Sequence, residues 1–200
     1  MTIKELYDKL CTPEFQDTGN GSLAYNFYIY QYPADKEYEW RNYIQDFCDK
    51  LSRPVTYVDV LALNVFKEFC HFMQENRLGP NSMLDANLKD EADFPEEVRR
   101  SLEDVAGSEA FYAYLNQRIL AFVNEQSADS MRPYVFVYGI GSMFPYLRAN
   151  AFLTNYERFN NVSDYKIILF YPGTSSDNTY RLFDKLNDTH AYRATLLNLQ

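Results

Sequence analysis

Two apolar runs, "YVFVY" at 134–138 and "IILFY" at 167–171, carry no polar residue on either side of the strand they would form. Successive strand residues point to opposite faces, so a strand that is apolar throughout must be covered on both sides. β-branched and aromatic residues fill both runs, and each is strand length. Such strands belong to a parallel sheet with helices on its two faces. The constraint is fold-wide: whatever joins these strands must supply the helical layers.

The rest of the chain reads as that supply. A short amphipathic helix in "MTIKELYDKLCTPEF" comes first, followed by the turn cluster "TGNGS" and a first strand in "LAYNFYIYQY", 23–32. Pro33 ends that strand. Tyr38, Trp40, Tyr43, Ile44, Phe47, Cys48 and Leu51 then recur at helical spacing. "VTYVDV" at 55–60 is expected to be the second strand, leading into a helix from about Leu61 to Asn76, which Gly79 and Pro80 stop. Residues 83–125 read as mostly helical, with a carboxylate-rich first half broken at Pro95. After "YVFVYGIG", helices are expected from Ser142 to about Phe159 and near Asn178 to Leu186, with strands in "YKIILFYPG" and "AYRATLLN". The expected fold is α/β, a three-layer sandwich with a mainly parallel sheet of about five strands. At 200 residues it reads as a single domain, 1–200, with a carboxylate-rich helical insertion at about 81–130.

Charge narrows the range of functions. The formal net charge is −9, and it is uneven: 12 basic residues oppose 23 acidic ones before residue 132, seven oppose five from there on. Binding to nucleic acid draws its affinity largely from Lys and Arg, so direct nucleic-acid binding is not expected. A protein partner with a basic face fits better. The carboxylate-rich stretch reads first as a solvated face and second as a docking surface. Cys11, Cys48 and Cys70 are odd in number and have no CxxC spacing, as in reduced cytoplasmic thiols. Neither a signal-like apolar run nor a membrane span is present in the sequence. The chain is therefore expected to be cytoplasmic.

Chemistry is sparse. "GIGS" at 139–142 follows a strand, a place where backbone amides could hold an anion. The dinucleotide fingerprint would need a glycine where Phe144 stands, and a phosphate-binding P-loop would need a Gly-Lys pair, which the chain lacks. After the first strand, where such a loop belongs, come Asp35, Glu37 and Glu39, which would repel polyphosphate. Gly139 and Gly141 thus read first as turn residues, and Gly139, Gly141, Ser142 and Gly173 stay as anion-site candidates, with Arg148 or Arg193 as possible aids. Ligands of parallel sheets collect beyond the carboxyl ends of the strands, which would gather Tyr32-Pro33, Gly139–Ser142 and the segment from Tyr171 to Ser175. His71 reads as a core-edge histidine and His190 as a turn residue near Asp188. No HExxH, DxDxDG or GxSxG set appears, so no catalytic residue, metal ligand or cofactor is assigned.

In order, "YVFVYGIGSMFPYLRANAFL" at 134–153, "IILFYPG" at 167–173, "YRLFDKL" at 180–186 and "HAYRATLL" at 190–197 resemble the BrxB family of bacteriophage-exclusion (BREX) systems. "NFYIYQYPADKEYEWRNYI" and "RPVTYVDVLALNVF" fit the same family more loosely. That resemblance implies a cytoplasmic defence component without assigned catalytic activity, acting through a partner. The partner it implies first is PglZ, with its phosphatase-like domain, alongside a DNA methyltransferase and an ATPase. It also implies a P-loop-type core that has lost its phosphate loop. A degenerate nucleotide- or phosphate-binding protein using the Gly139–Ser142 turn is the alternative.

Overall fold

The computed structural model describes residues 1–16, 26–53, 56–125, 133–159, 165–176, 179–188 and 194–199. Helix α1 (Ile3–Leu10) opens with a capping box: the Thr2 hydroxyl accepts from the Glu5 amide at 3.2 Å, and the Glu5 carboxylate accepts from the Thr2 amide at 2.6 Å. It buries Leu6 and Leu10, and the single turn α2 (Pro13–Gln16) buries Phe15. Strand β1 (Phe27–Tyr32) runs into Pro33, a 3-10 turn at Ala34–Lys36 and helix α3 (Glu37–Leu51).

Strand β2 occupies Val60–Asn64, not 55–60, and helix α4 begins at Val65 and ends at Glu75. Two local contacts displace the expected strand. Thr56 Oγ1 donates to the Leu51 carbonyl, and the Val58 amide donates to the same carbonyl at 3.1 Å, wrapping the segment around the end of α3. Tyr57 sits at φ 49, which breaks any extended run. Asn64 then starts α4, its side chain accepting from the Lys67 amide at 3.1 Å.

A hairpin, β3 (Arg77–Leu78) with β4 (Asn81–Ser82), leads to three helices, α5 (Met83–Asp90), α6 (Pro95–Ala106) and α7 (Glu109–Glu125). Pro95 opens α6 at its first position, where the missing N–H costs nothing. Helix α7 buries Phe111, Tyr112, Leu115 and Ile119 in the main core.

Strand β5 (Tyr134–Tyr138) is followed by a 3-10 turn at Ile140–Met143, and helix α8 starts only at Ala149 and ends at Tyr156. The expected helix from Ser142 fails at Pro145: the preceding Phe144 is extended (φ −66, ψ 135), as a residue before proline prefers, and the Phe144-Pro145 bond is cis. Strand β6 (Lys166–Ser176) outruns its neighbours and folds back through β7 (Thr179–Leu182) and β8 (Leu186–Asp188). The expected helix near Asn178 to Leu186 is this antiparallel ribbon. "TYRL" buries Tyr180 and Leu182 and exposes Arg181, a period of two. Strand β9 is short, Thr195–Leu196, and most of the expected strand before it lies outside the described residues.

Five strands pair in the order β2-β5-β6-β1-β9, all parallel, and the β7–β8 ribbon makes the sheet mixed. Consecutive residues of each strand enter different cores. Ile29, Val135, Val137, Ile167 and Leu169 pack with α4, α7 and α8; Tyr30, Tyr134, Phe136, Ile168 and Phe170 pack with α1, α2 and α3. The second core is aromatic at its centre, where Trp40 meets Phe170 at 5.3 Å and Phe136 meets Phe170 at 5.0 Å between ring centroids. Each such edge-to-face pair adds about 1 kcal/mol beyond area burial. Among the described residues, no helix is long and apolar enough to cross a membrane.

Candidate functional site

The chain leaves β1 toward the face covered by α3 and leaves β5 toward the face covered by α8. The two turns flank β6 at the carboxyl edge of the sheet, where α/β folds usually hold ligands. The crevice there brings together Tyr32 at the end of β1, Glu37 and Arg41 in the first turns of α3, and Ser142 in the turn after β5.

These four side chains bond to one another. Tyr32 Oη donates to Glu37 Oε2, Arg41 Nε donates to Glu37 Oε1 at 2.6 Å, and Arg41 Nη2 donates to Ser142 Oγ. Glu37 is buried, and its charge is met by the guanidinium one helical turn along. Burial pushes the Tyr32 phenol far above its ordinary value, and the adjacent Glu37 carboxylate pushes it the same way. The phenol therefore remains a donor at any physiological pH. Arg41 can donate to Ser142 but cannot take its proton, so this contact does not activate the hydroxyl. An anion entering here would compete with Glu37 for Arg41.

The glycines of the turn have separate explanations. Gly139 lies at φ +77, and a Cβ there would approach Asn64 Oδ1 to 2.7 Å, the atom that caps α4. Gly141 faces Phe183, whose ring would stand 2.4 Å from an added Cβ. The amides of Ser142 and Phe144 donate within the turn, to Gly139 O at 3.0 Å and Gly141 O at 3.3 Å. Gly173 is not at a strand-to-helix turn: it lies within β6, paired to Leu182 at φ +151, where a Cβ would meet the Arg181 carbonyl at 2.0 Å. The ribbon that Gly173 admits carries Phe183 onto Gly141, and the Phe183 amide donates to Pro172 O at 2.8 Å.

Of the residues singled out in the sequence, Gly139, Gly141 and Ser142 share the crevice rim with Pro172, and Gly173 lies just beyond it in the ribbon. Arg148 donates instead to Asn187 O at 3.3 Å and stacks over the Phe144 ring at 5.6 Å. Arg193 and His190 lie outside the described residues. His71 is exposed on α4 and not at the edge of the core. No cluster of His, Cys, Asp or Glu that could hold a metal ion is found among the described residues. Sequence reasoning missed Arg41 and Phe183. The i,i+4 spacing of Glu37 and Arg41 was the available signal for the first. Nothing local marks Phe183, which reaches the turn only through the ribbon.

The chain is 22% identical over 193 residues to a BREX protein BrxB of Bacillus cereus (strain H3081.97), covering 96% of this chain and 93% of the relative. No solved structure matches it. A family model described as BREX protein BrxB matches residues 61–197, which spans β2 to the end of the sheet and includes the Gly139–Ser142 turn. The chain belongs to the BrxB family of BREX proteins.

Proposed function

We propose that this chain is a non-catalytic, cytoplasmic subunit of a BREX phage-defence system, which assembles or regulates a larger partner such as PglZ. The observation that carries the reading is the closure of the sheet's ligand crevice by its own side chains. Glu37 takes the place an incoming anion would need on Arg41, and Phe183 covers Gly141. β1 runs into Pro33 and a 3-10 turn bearing Asp35, with no glycine to wrap a phosphate. On this reading the sheet is a P-loop-type core whose phosphate loop has been replaced by an internal carboxylate. A binding role also agrees with the acidic first part of the chain and its wealth of tyrosine.

Size-exclusion chromatography of the purified chain mixed with PglZ from the same BREX system tests the proposal. A joint, earlier peak at micromolar concentration is expected; independent elution of both proteins removes PglZ as the partner. The competing reading, a degenerate nucleotide or phosphate binder, requires Arg41 and Ser142 to exchange Glu37 for phosphate. It predicts a rise in melting temperature with ATP, GTP or cyclic nucleotides, where the subunit reading predicts none.

A further inference from the structure

Tyr38 and Tyr57, in and just after α3, are the most exposed large apolar side chains, and a second group lies around α5 and α6. Leu78 on β3, Leu88 on α5 and Phe94 at the start of α6 are each more than half exposed, all within one short segment outside the sheet. Two of them line adjoining depressions between the hairpin, α5 and α6, of about 290 and about 460 Å³, which share Leu78, Glu97 and Ser101. Phe94 and Val98 line the first, Met83 and Val105 the second. Together they form a groove along one face of α6. From residue 94 to 105 that face is roughly 16 Å long, enough for three turns of a partner helix.

The rim of the groove is acidic. Asp90 and Glu97 border the first depression, and Glu97 and Asp104 the second, against Arg100 alone. Arg99 is committed elsewhere on α6, paired with Glu96 at 3.1 Å and Glu103 at 2.5 Å. Among the described residues, no ion pair engages Asp90, Glu97 or Asp104. An apolar floor between unpaired carboxylates favours an occupant with an apolar stripe flanked by cations. A second copy of the chain docked groove to groove would set the acidic rims against each other. Nucleic acid and anionic membranes are disfavoured for the same reason.

We propose that the groove between the β3–β4 hairpin, α5 and α6 docks a basic amphipathic helix of a partner protein, its apolar residues on Leu78 and Phe94 and its Lys or Arg residues on Glu97 and Asp104. The inference rests on the reading that the chain works by binding a larger protein, and it adds the surface and the chemistry of the binding segment. Lost interactions at Phe94 would weaken binding most, because a half-exposed aromatic ring over a groove is the usual anchor.

A synthetic Leu/Lys amphipathic helix of about 18 residues serves as the probe, beside a scrambled peptide of the same composition and a Leu/Glu counterpart. Methyl-labelled NMR of the full chain reads the site. Shifts confined to Leu78, Met83, Val98 and Val105, seen with the Leu/Lys helix alone and weakened about tenfold by Phe94→Ala or by Glu97→Lys with Asp104→Lys, are expected. Equal binding of the scrambled or Leu/Glu peptide, or shifts spread over the acidic surface, would overturn the proposal. Groove shifts that depend on protein concentration without peptide would identify a second copy as the occupant and overturn it too. Since the peptide does not involve PglZ, a PglZ complex that forms while the probe fails removes the groove and leaves the binding role standing. A probe that binds while PglZ does not removes only that partner.

Discussion

At the residue scale, the crevice is shaped by a few side chains whose roles differ from what their types suggest. Gly141 and Gly173 look like partners in one phosphate cradle, yet one makes room for a ring and the other for a strand crossing. Their substitutions should therefore differ. At Gly173 an added Cβ meets rigid backbone at a φ that disfavours side chains, whereas at Gly141 it meets the tip of Phe183, which can shift. Gly173→Ala is expected to destabilise by about 3 kcal/mol and Gly141→Ala by about 1 kcal/mol, read from urea unfolding midpoints. Arg41 is the second test at this scale. Removing it leaves the buried Glu37 carboxylate with the Tyr32 hydroxyl and no cation, and partial exposure of the pair limits the loss. Arg41→Ala should cost about 2 kcal/mol, and Glu37→Gln about half of that, since the remaining guanidinium can reach water.

At the element scale, the strands that are apolar on both faces were legible and the punctuation between them was less so. β5 and the inner half of β6 follow directly from "YVFVY" and "IILFY", whose lack of alternation demands cover on both sides. β2 was misplaced because "VTYV" has stronger strand propensity than "VLALN", and only tertiary pairing with β5 decides between them. The capping signal was present nonetheless: Asn64 sits directly before the helical stripe of α4. Asn64→Ala is expected to cost about 1 kcal/mol, with the loss confined to stability and the secondary structure retained by circular dichroism. Pro145 carried the warning against a helix from Ser142, through its effect on Phe144. The β7–β8 ribbon was hidden by ambiguity: Tyr180, Phe183 and Leu186 also satisfy a helical spacing, and the competing alternation covers only four residues. The crevice was legible as a place, through the carboxyl ends of the strands. Its closure was not, because the Arg41–Ser142 bond spans 101 positions and Phe183 arrives only through the ribbon.

At the scale of the whole molecule, two aromatic-rich cores share one sheet, and many tyrosines are buried with their hydroxyls bonded. Burial pushes Tyr30 and Tyr112 up to about 12, and raises Tyr134 and Tyr156 as well. A folded phenol that holds its proton while the unfolded one loses it near pH 10 gives stability that is complete below pH 10 and falls as pH rises toward 12. Burial likewise pushes the Cys48 thiol up to about 12, so unfolding free energy should be level from neutral pH to about 9, where unfolded thiols ionise, and then drop toward 12. The tyrosinate absorbance of these buried phenols should appear only together with unfolding, and a titration in which all phenols ionise near pH 10 in the folded chain would contradict the burial described.

The same view of the molecule sets its interior against its outside: a sheet whose ligand rim is occupied from within, beside an acidic helical surface with an open apolar groove. The proposed function follows from that contrast. Sedimentation velocity of the chain with PglZ, run with and without magnesium ATP, tests it most directly. The account predicts a complex whose affinity is the same in both conditions and no nucleotide carried by the chain alone. ATP that co-sediments with the isolated chain, and is lost in Arg41→Ala, would contradict it.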